Sequence, residues 1–292
     1  MKRRLVAVFS VLTAVLAVTV LLAFTVGSAR FTLKEMFAAL FNGGDETVRF
    51  ILLSLRLPRI AAAALAGAGL SVAGLLLQTV TDNDLCSPSV IGVNAGAGFA
   101  VIAVMCIFPA AYRLLPFAAF AGAAAATLTV LGISFSVGRA VRTKVVLAGV
   151  AVAALLNAGI SFFSQLYPDV LASYASFSAG GFSDIYADDL IVPAIMIAGG
   201  VAVASVLSRR INLLVLGDDI AAGLGTAVKP LRFFTLLLAS MLCGAVVSFA
   251  GLLGFAGLIV PHMARRIAGH DAVCRHARRV SEKRRILRRF LA

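Results

Sequence analysis

Charge is scarce in this sequence. Only 13% of its 292 residues are Asp, Glu, Lys or Arg, against about a quarter in soluble globular domains. An ordinary water-exposed fold is therefore excluded. Tryptophan is missing, and the 26 glycines stand among long runs of Ala, Val, Leu and Ile. That composition excludes a coiled coil and a disordered chain alike. Cysteine is sparse: Cys86, Cys106, Cys243 and Cys274 are scattered without CxxC spacing, which gives neither a disulfide framework nor a zinc site. There is no P-loop GxxxxGK[ST], no HExxH and no Ser-His-Asp arrangement. His262, His270 and His276 crowd the C-terminal end and offer no facing pair for haem. No catalytic residue, metal ligand or cofactor is expected in this chain.

What the sequence does have is apolar length. Hydrophobic residues make up 61% of the chain and mean hydropathy is +1.02. A hydrocarbon core takes roughly 20 apolar residues per helix. Suitable stretches occur at about 5–26, 57–79, 90–109, 115–137, 144–166, 189–208, 230–249 and 251–268, which makes about eight spans. The fold expected is an all-α, polytopic membrane helix bundle. Lys2-Arg3-Arg4 precedes a run longer than the roughly 7–15 residues of a signal-peptide core, so the first helix is retained with a cytoplasmic N-terminus. Residues 28–56, mixed in charge, read as an external connection with a short surface helix.

Threading from that end puts loops 80–89, 138–144 and 209–229 in the cytoplasm. Arg139, Arg142 and Lys144 lie in the second, and Arg209, Arg210 and Lys229 in the third. The external connection 167–188 carries Asp169, Asp184 and Asp188 and no cation, as the positive-inside rule requires. The net charge of +13 is thus assigned to the lipid bilayer rather than to nucleic acid. Arg30, Lys34, Arg49 and Arg56 in the external 28–56 segment run against the rule.

The spans hold almost no ionisable residue. Intramembrane charge costs at least ~2.5–3.5 kcal/mol and marks ion and proton routes. Its scarcity argues against an ion-coupled secondary carrier and against a redox protein. Without a nucleotide site, uphill transport would need another chain to hydrolyse ATP. The small residues in 61–74, 92–98 and 122–126 fit close helix packing in lipid. Gly92-Val-Asn94-Ala-Gly96-Ala-Gly98 follows no strand and is not read as a nucleotide fingerprint.

Five motifs stand in order along the chain. They are Leu55-Arg56-Leu57-Pro58-Arg59 with the helix running to Gln78 and on through Pro88 to Gly98; Val146 to Asn157; Ser178-Ala-Gly180-Gly181-Phe-Ser183-Asp184; Leu213 to Gly225; and Gly251-Leu-Leu-Gly254-Phe-Ala-Gly257-Leu-Ile-Val-Pro261-His262-Met-Ala-Arg265. Together they resemble the FecCD family, the permeases of ABC importers for iron–siderophore complexes, haem and cobalamin. The resemblance runs from about residue 5 to Asp271. It implies a type II importer permease fold of ten helices per subunit in the cytoplasmic (inner) membrane. The partners it implies are a second permease copy forming a homodimer, two copies of an ABC ATPase subunit and an extracytoplasmic substrate-binding protein.

The resemblance also assigns roles. Leu213, Leu216, Gly217, Asp218, Asp219, Ile220, Gly223, Leu224 and Gly225 would form the loop that seats in the ATPase. Acids at a helix start and glycine at its end suit a short helix there, and Leu213, Leu216, Ile220 and Leu224 recur at helical spacing. Arg56 and Arg59 would dock the binding protein's carboxylates, for which a planar guanidinium is suited; snorkelling to lipid phosphate is the competing reading. Gln78, Asn94, Asn157 and Ser161 are pathway candidates, each of which serves equally well as an interhelical hydrogen-bonding group. The cargo expected is a ferric siderophore, with haem or cobalamin as alternatives. His262 is read as packing or loop chemistry.

The chain departs from the family after residue 271. Family members continue with two more apolar helices, whereas from Arg265 onward this sequence has ten Lys or Arg and two acids. The domain expected at 1–271 is an incomplete permease, and 272–292 a basic, non-spanning tail. That tail reads either as a lipid-binding element or as out-of-frame residues replacing two helices; its abrupt start favours the second. A truncated, transport-incompetent remnant is accordingly the alternative to a working importer.

Overall fold

The computed structural model describes residues 2–27, 31–41, 45–84, 86–136, 141–183, 185–254, 257–261 and 263. Asp184, His262 and the 272–292 segment lie outside the described residues. Eleven α-helices are laid out among them. They are α1 (Lys2–Thr25), α2 (Leu33–Phe41), α3 (Glu46–Phe50), α4 (Leu57–Thr81), α5 (Val93–Ile107), α6 (Leu115–Ser136), α7 (Val141–Leu166), α8 (Leu171–Ala179), α9 (Ala187–Leu213), α10 (Asp218–Gly223) and α11 (Val228–Ala250). No strand occurs among the described residues.

Five helical stretches are long and apolar enough to cross a membrane: Glu46–Thr81, Tyr112–Ser136, Thr143–Leu166, Ala187–Leu216 and Val228–Ala250. Ser10–Thr25 and Val93–Ile107 are shorter apolar helices. These seven coincide with the first seven expected spans. The eighth, 251–268, begins with a non-helical stretch and turns helical at 257–261; the rest of it, apart from Met263, lies outside the described residues.

The second span corrects the expected boundary at residue 57. Helix runs without a break from Glu46, through a π-helical stretch at Ile51–Arg56, into α4. Pro58 has no N–H to donate and its ring crowds the preceding turn. Widening to π geometry just before it relieves that conflict without ending the helix. Within the expected connection, α2 is the short helix, and residues 46–56 belong to the second span. Met36 and Ala39 of α2 bury against Val48 and Leu52, with Phe24 and Phe31 packed alongside. The helix entry is capped reciprocally: the Thr32 N–H donates to Glu35 Oε2 (2.8 Å) and the Glu35 N–H donates to Thr32 Oγ1 (3.3 Å).

α11 is the centre of the bundle, with α4, α6, α9 and α5 packed around it. In its most apolar stretch 61% of positions are buried, against 17% for α7, so α7 stands at the periphery. Close backbone approach sets the helix pairs. A Cβ on Gly96 would lie 2.3 Å from the Gly122 carbonyl oxygen, and one on Gly122 would lie 2.3 Å from the Gly96 oxygen. After α11 the chain turns at Gly251 (φ +71) and is stitched to the end of α8. The Gly181 N–H donates to Ala250 O (2.9 Å) and the Leu252 N–H donates to Phe177 O (3.3 Å). The third and fifth sequence motifs thus meet through their backbones.

Candidate functional site

The most defined polar structure lies between α9 and α11, in the loop the sequence places in the cytoplasm. α9 ends in a 3-10 turn, Leu214–Leu216, and Gly217 (φ +103) redirects the chain into α10. Only glycine takes that φ without strain. Asp218 and Asp219 occupy the first turn, where carboxylates complement the helix dipole. The other end closes as a Schellman motif. Gly225 (φ +78) donates its N–H to Ala222 O (2.9 Å), and the Thr226 N–H donates to Ala221 O (3.0 Å). Gly225 is the terminating residue; Gly223 is the last helical one and has no positive φ.

Leu214 and Ala221 are fully buried under this loop. Val215, Ile220 and Leu224 are 40%, 50% and 60% exposed, an outward apolar surface on a charged end of the molecule. The expected face of Leu213, Leu216, Ile220 and Leu224 therefore divides: the first two are half-buried against the body and the last two point out. Arg209, Arg210, Asp219 and Lys229 are exposed around it.

The sequence reading missed what holds α10 in place. Arg232, in the second turn of α11, is 2% exposed and grips Asp218 with both ends of its guanidinium: Nη1 to Oδ2 at 3.0 Å and Nη2 to Oδ1 at 2.7 Å. The signal was present, since Arg232 is a cation inside the expected span 230–249.

The two external arginines diverge. Arg56, half-buried, donates from Nη1 to the Phe24 carbonyl at the end of α1, and its guanidinium carbon sits 5.0 Å from the Phe31 ring centroid. A cation at a helix C-terminus is favourable, and this one fastens the first corner of the chain. Arg59 is exposed and donates from Nη2 to Ser183 O at 2.5 Å. Both border an apolar cleft of about 610 Å³ between α1 and α4, lined by Leu16, Thr19, Val20, Ala23, Ile60 and Ala63 among others. Both are bonded within the chain, Arg56 half-buried and Arg59 exposed.

The four pathway candidates are not brought onto one surface. Gln78 is buried at the end of α4 and donates to Leu258 O (3.4 Å). Asn94 is partly buried near the start of α5, its Oδ1 enclosed with no partner among the described residues. Asn157 and Ser161 do share a face. Both are exposed on α7, and the Ser161 hydroxyl donates to Asn157 O at 3.0 Å. Ala154, Ala158 and Gln165, also exposed, extend that small and polar stripe along the helix. Among the described residues no group of His, Cys, Asp or Glu is placed to hold a metal ion.

Five helices long and apolar enough to cross a membrane, two shorter apolar ones beside them, and a short clamped helix displayed at one end define a multi-pass membrane permease. The comparisons with known proteins give the lineage. Residues 15–275 match the FecCD transport family, and the chain belongs to that family. It is 37% identical to the Fe(3+)-citrate import system permease protein YfmE of Bacillus subtilis, over 79% of this chain and 69% of the relative. It is 38% identical to the ferric enterobactin transport system permease protein FepD of Escherichia coli, over 81% and 71% respectively. A metal-chelate type ABC transporter solved in an inward-facing conformation superposes with a TM-score of 0.81, at 25% identity, covering 93% of this chain and 83% of that one. The chain is an ABC importer permease, a transport subunit that works with an ATPase and a binding protein.

Proposed function

We propose that the protein moves an iron(III)–siderophore across the cytoplasmic membrane, as one of two identical permease chains, powered by ATP hydrolysed on a separate pair of subunits. The carrying observation is α10: a two-turn helix that is capped, clamped and apolar on its outer side, at the end of two long spans. Val215, Ile220 and Leu224 would seat in the ATPase, with Asp219 at the rim. The N-terminus lies on the same, cytoplasmic side. The chelate cargo is supported by relatives named for ferric citrate and ferric enterobactin, and it takes precedence over haem and cobalamin on that ground.

At the opposite end, Arg59 would turn its exposed guanidinium to a carboxylate on the binding protein, while Arg56 braces the corner beneath it. The exposed stripe of Ala154, Asn157, Ala158, Ser161 and Gln165 on α7 would form one wall of the pathway between two copies. Small, uncharged polar groups suit a bulky cargo that must pass without being held. Gln78 and Asn94 would act one layer behind, in interhelical bonding.

Reconstitution into vesicles with its ATPase and binding protein tests this reading. ATP-dependent uptake of a radiolabelled ferric siderophore is expected, with none from the permease alone. Accumulation by the solitary permease on a proton or sodium gradient would replace it with a secondary carrier. An assembled complex that hydrolyses ATP without uptake would identify a transport-incompetent remnant.

A further inference from the structure

We infer that the Asp218–Arg232 pair is the transmission link of the importer, the contact that turns displacement of α10 into movement of α11. This rests on the reading of α10 as the ATPase-seating helix. A helix of six residues has little rigidity of its own. Its C-terminal end is closed by the Schellman bonds of Gly225 and Thr226. Its N-terminal end has no side-chain cap and is held by backbone bonds through Gly217, whose N–H donates to Leu214 O (3.4 Å) and whose oxygen accepts from the Ala221 N–H (3.0 Å). Gly217 stands there with φ +103, and because glycine has the widest backbone range of any residue it is the pivot where α9 hands over to α10. Left to that glycine, a push on Ile220 and Leu224 would rotate α10 about Gly217 and be lost.

The pair fixes that end. Asp218 is the residue directly after the pivot, and its two oxygens are matched one-to-one by the two terminal nitrogens of Arg232. A fork-to-fork contact of this type fixes orientation as well as distance, which a point-charge lysine does not. Arg232 is itself immobilised: its side chain is 3% exposed, while that of Asp218 is 43% exposed. The anchored partner therefore belongs to α11, the helix against which α4, α6 and α9 pack, and the reachable partner belongs to the loop.

Stability alone does not account for an arginine at this position. A cation in the first turns of α11 opposes the helix dipole, and a buried guanidinium pays a desolvation cost that an apolar residue would avoid. Its Nε is enclosed without a partner among the described residues. What the arrangement does secure is one fixed register between α10 and the central helix, the use for which buried ion pairs are best attested.

The test uses the full permease assembled with its ATPase and binding protein in proteoliposomes. The variants are Arg232→Lys, Asp218→Asn, Asp218→Glu and the exchange Asp218→Arg with Arg232→Asp. Asp169→Asn, an exposed acid in the connection after α7, is the control. Three quantities are read on the assembled fraction isolated by gel filtration: ATPase retained, ATP hydrolysed, and siderophore moved per ATP. Arg232→Lys and Asp218→Asn should keep the ATPase attached and active while siderophore per ATP falls about tenfold, the change expected from losing a charge-assisted hydrogen bond that acts in the coupled step. Asp218→Glu should recover most of the ratio, and Asp169→Asn should not alter it.

Unchanged siderophore per ATP in Arg232→Lys and Asp218→Asn overturns the proposal. So does a loss of assembled complex with a normal ratio in what remains, which is a purely structural role. Where the Arg232 variants assemble poorly, Asp218→Asn and Asp218→Glu decide, because they leave the buried side chain in place. A separate variant, Ile220→Asp with Leu224→Asp, tests the underlying reading. If the ATPase stays bound to it, α10 is not the seat and the link falls with it. If the ATPase detaches while Arg232→Lys keeps a normal ratio, only the link is wrong.

Discussion

Replacing Gly122 with alanine adds one methyl group to the contact between α5 and α6. It would place a Cβ 2.3 Å from the Gly96 carbonyl oxygen and 2.5 Å from the Ala100 Cβ. Neither neighbour can rotate away, since one is backbone and the other is the first carbon of a side chain. To regain even 3.0 Å, the two helices must part by about 0.7 Å along a contact that includes the fully buried Ala97, Val101, Ala119 and Ala123. Overpacking of this kind costs ~1–3 kcal/mol. Against it stands the gain of ~1 kcal/mol that alanine brings to a helix interior in place of glycine.

Gly132 separates the two terms. It lies on the same helix, exposed, with nothing within 4 Å of its added Cβ, so Gly132→Ala shows the propensity gain alone. The two variants should differ by ~1–3 kcal/mol, Gly122→Ala being the less stable. Reversible unfolding in mixed micelles, followed by circular dichroism against denaturant, measures the difference. Gly96→Ala should behave like Gly122→Ala. The double variant should cost less than the two singles added, because the first separation makes room for the second methyl. If Gly122→Ala and Gly132→Ala unfold at the same midpoint, the inference that α5 and α6 are locked by backbone contact is wrong.

Three further outcomes are expected. Arg59→Glu should weaken binding-protein association by about tenfold or more while leaving the ATPase attached, read by surface plasmon resonance on the reconstituted complex; like-charge juxtaposition at an interface costs several kcal/mol. Cys86 is 1% exposed in the connection after α4, and its burial, partly opposed by a hydrogen bond with the Thr81 side chain, pushes the thiol up. It should resist maleimide in the folded protein at a pH where an exposed cysteine is fully labelled, and label on unfolding. The Glu35 carboxylate is held below its ordinary value of 4.5 by the backbone N–H and hydroxyl of Thr32. A depressed carboxyl stabilises only while ionised, so the α2 cap should be complete at neutral pH and lost as the pH falls below that value; hydrogen exchange of the α2 amides follows it, and Glu35→Gln should abolish the pH dependence.

Local chemistry was readable from the sequence and long-range pairing was not. α10 came out at its observed position because its limits are set by residues next to it: Gly217 turns the chain, Asp218 and Asp219 start the helix and Gly225 stops it. The spans were readable because apolar length is a property of a continuous segment. The start of the second span was misjudged for an equally physical reason. Pro58 usually ends or begins a helix, and nothing local announces that a π-helical stretch at Ile51–Arg56 will carry the helix through it.

Polar residues on the spans show where periodicity gives out. Gln78 and Asn157 are the same kind of side chain on the same kind of apolar helix, yet one is 2% exposed on a neighbour's carbonyl and the other faces outward. The difference depends on which helices flank each, and α7 differs from α4 in having its outer side uncovered. Arg232 is the instructive case, because a rule did exist for it: an ionisable residue inside a span is a functional hypothesis with a partner to be named. Its partner Asp218 sits fourteen positions earlier, across the loop. That spacing belongs to no helical or strand period, but it is short enough that any acid in the adjoining loop was a candidate. An isolated cation within an apolar span should therefore be matched first against the acids of the loop that immediately precedes it.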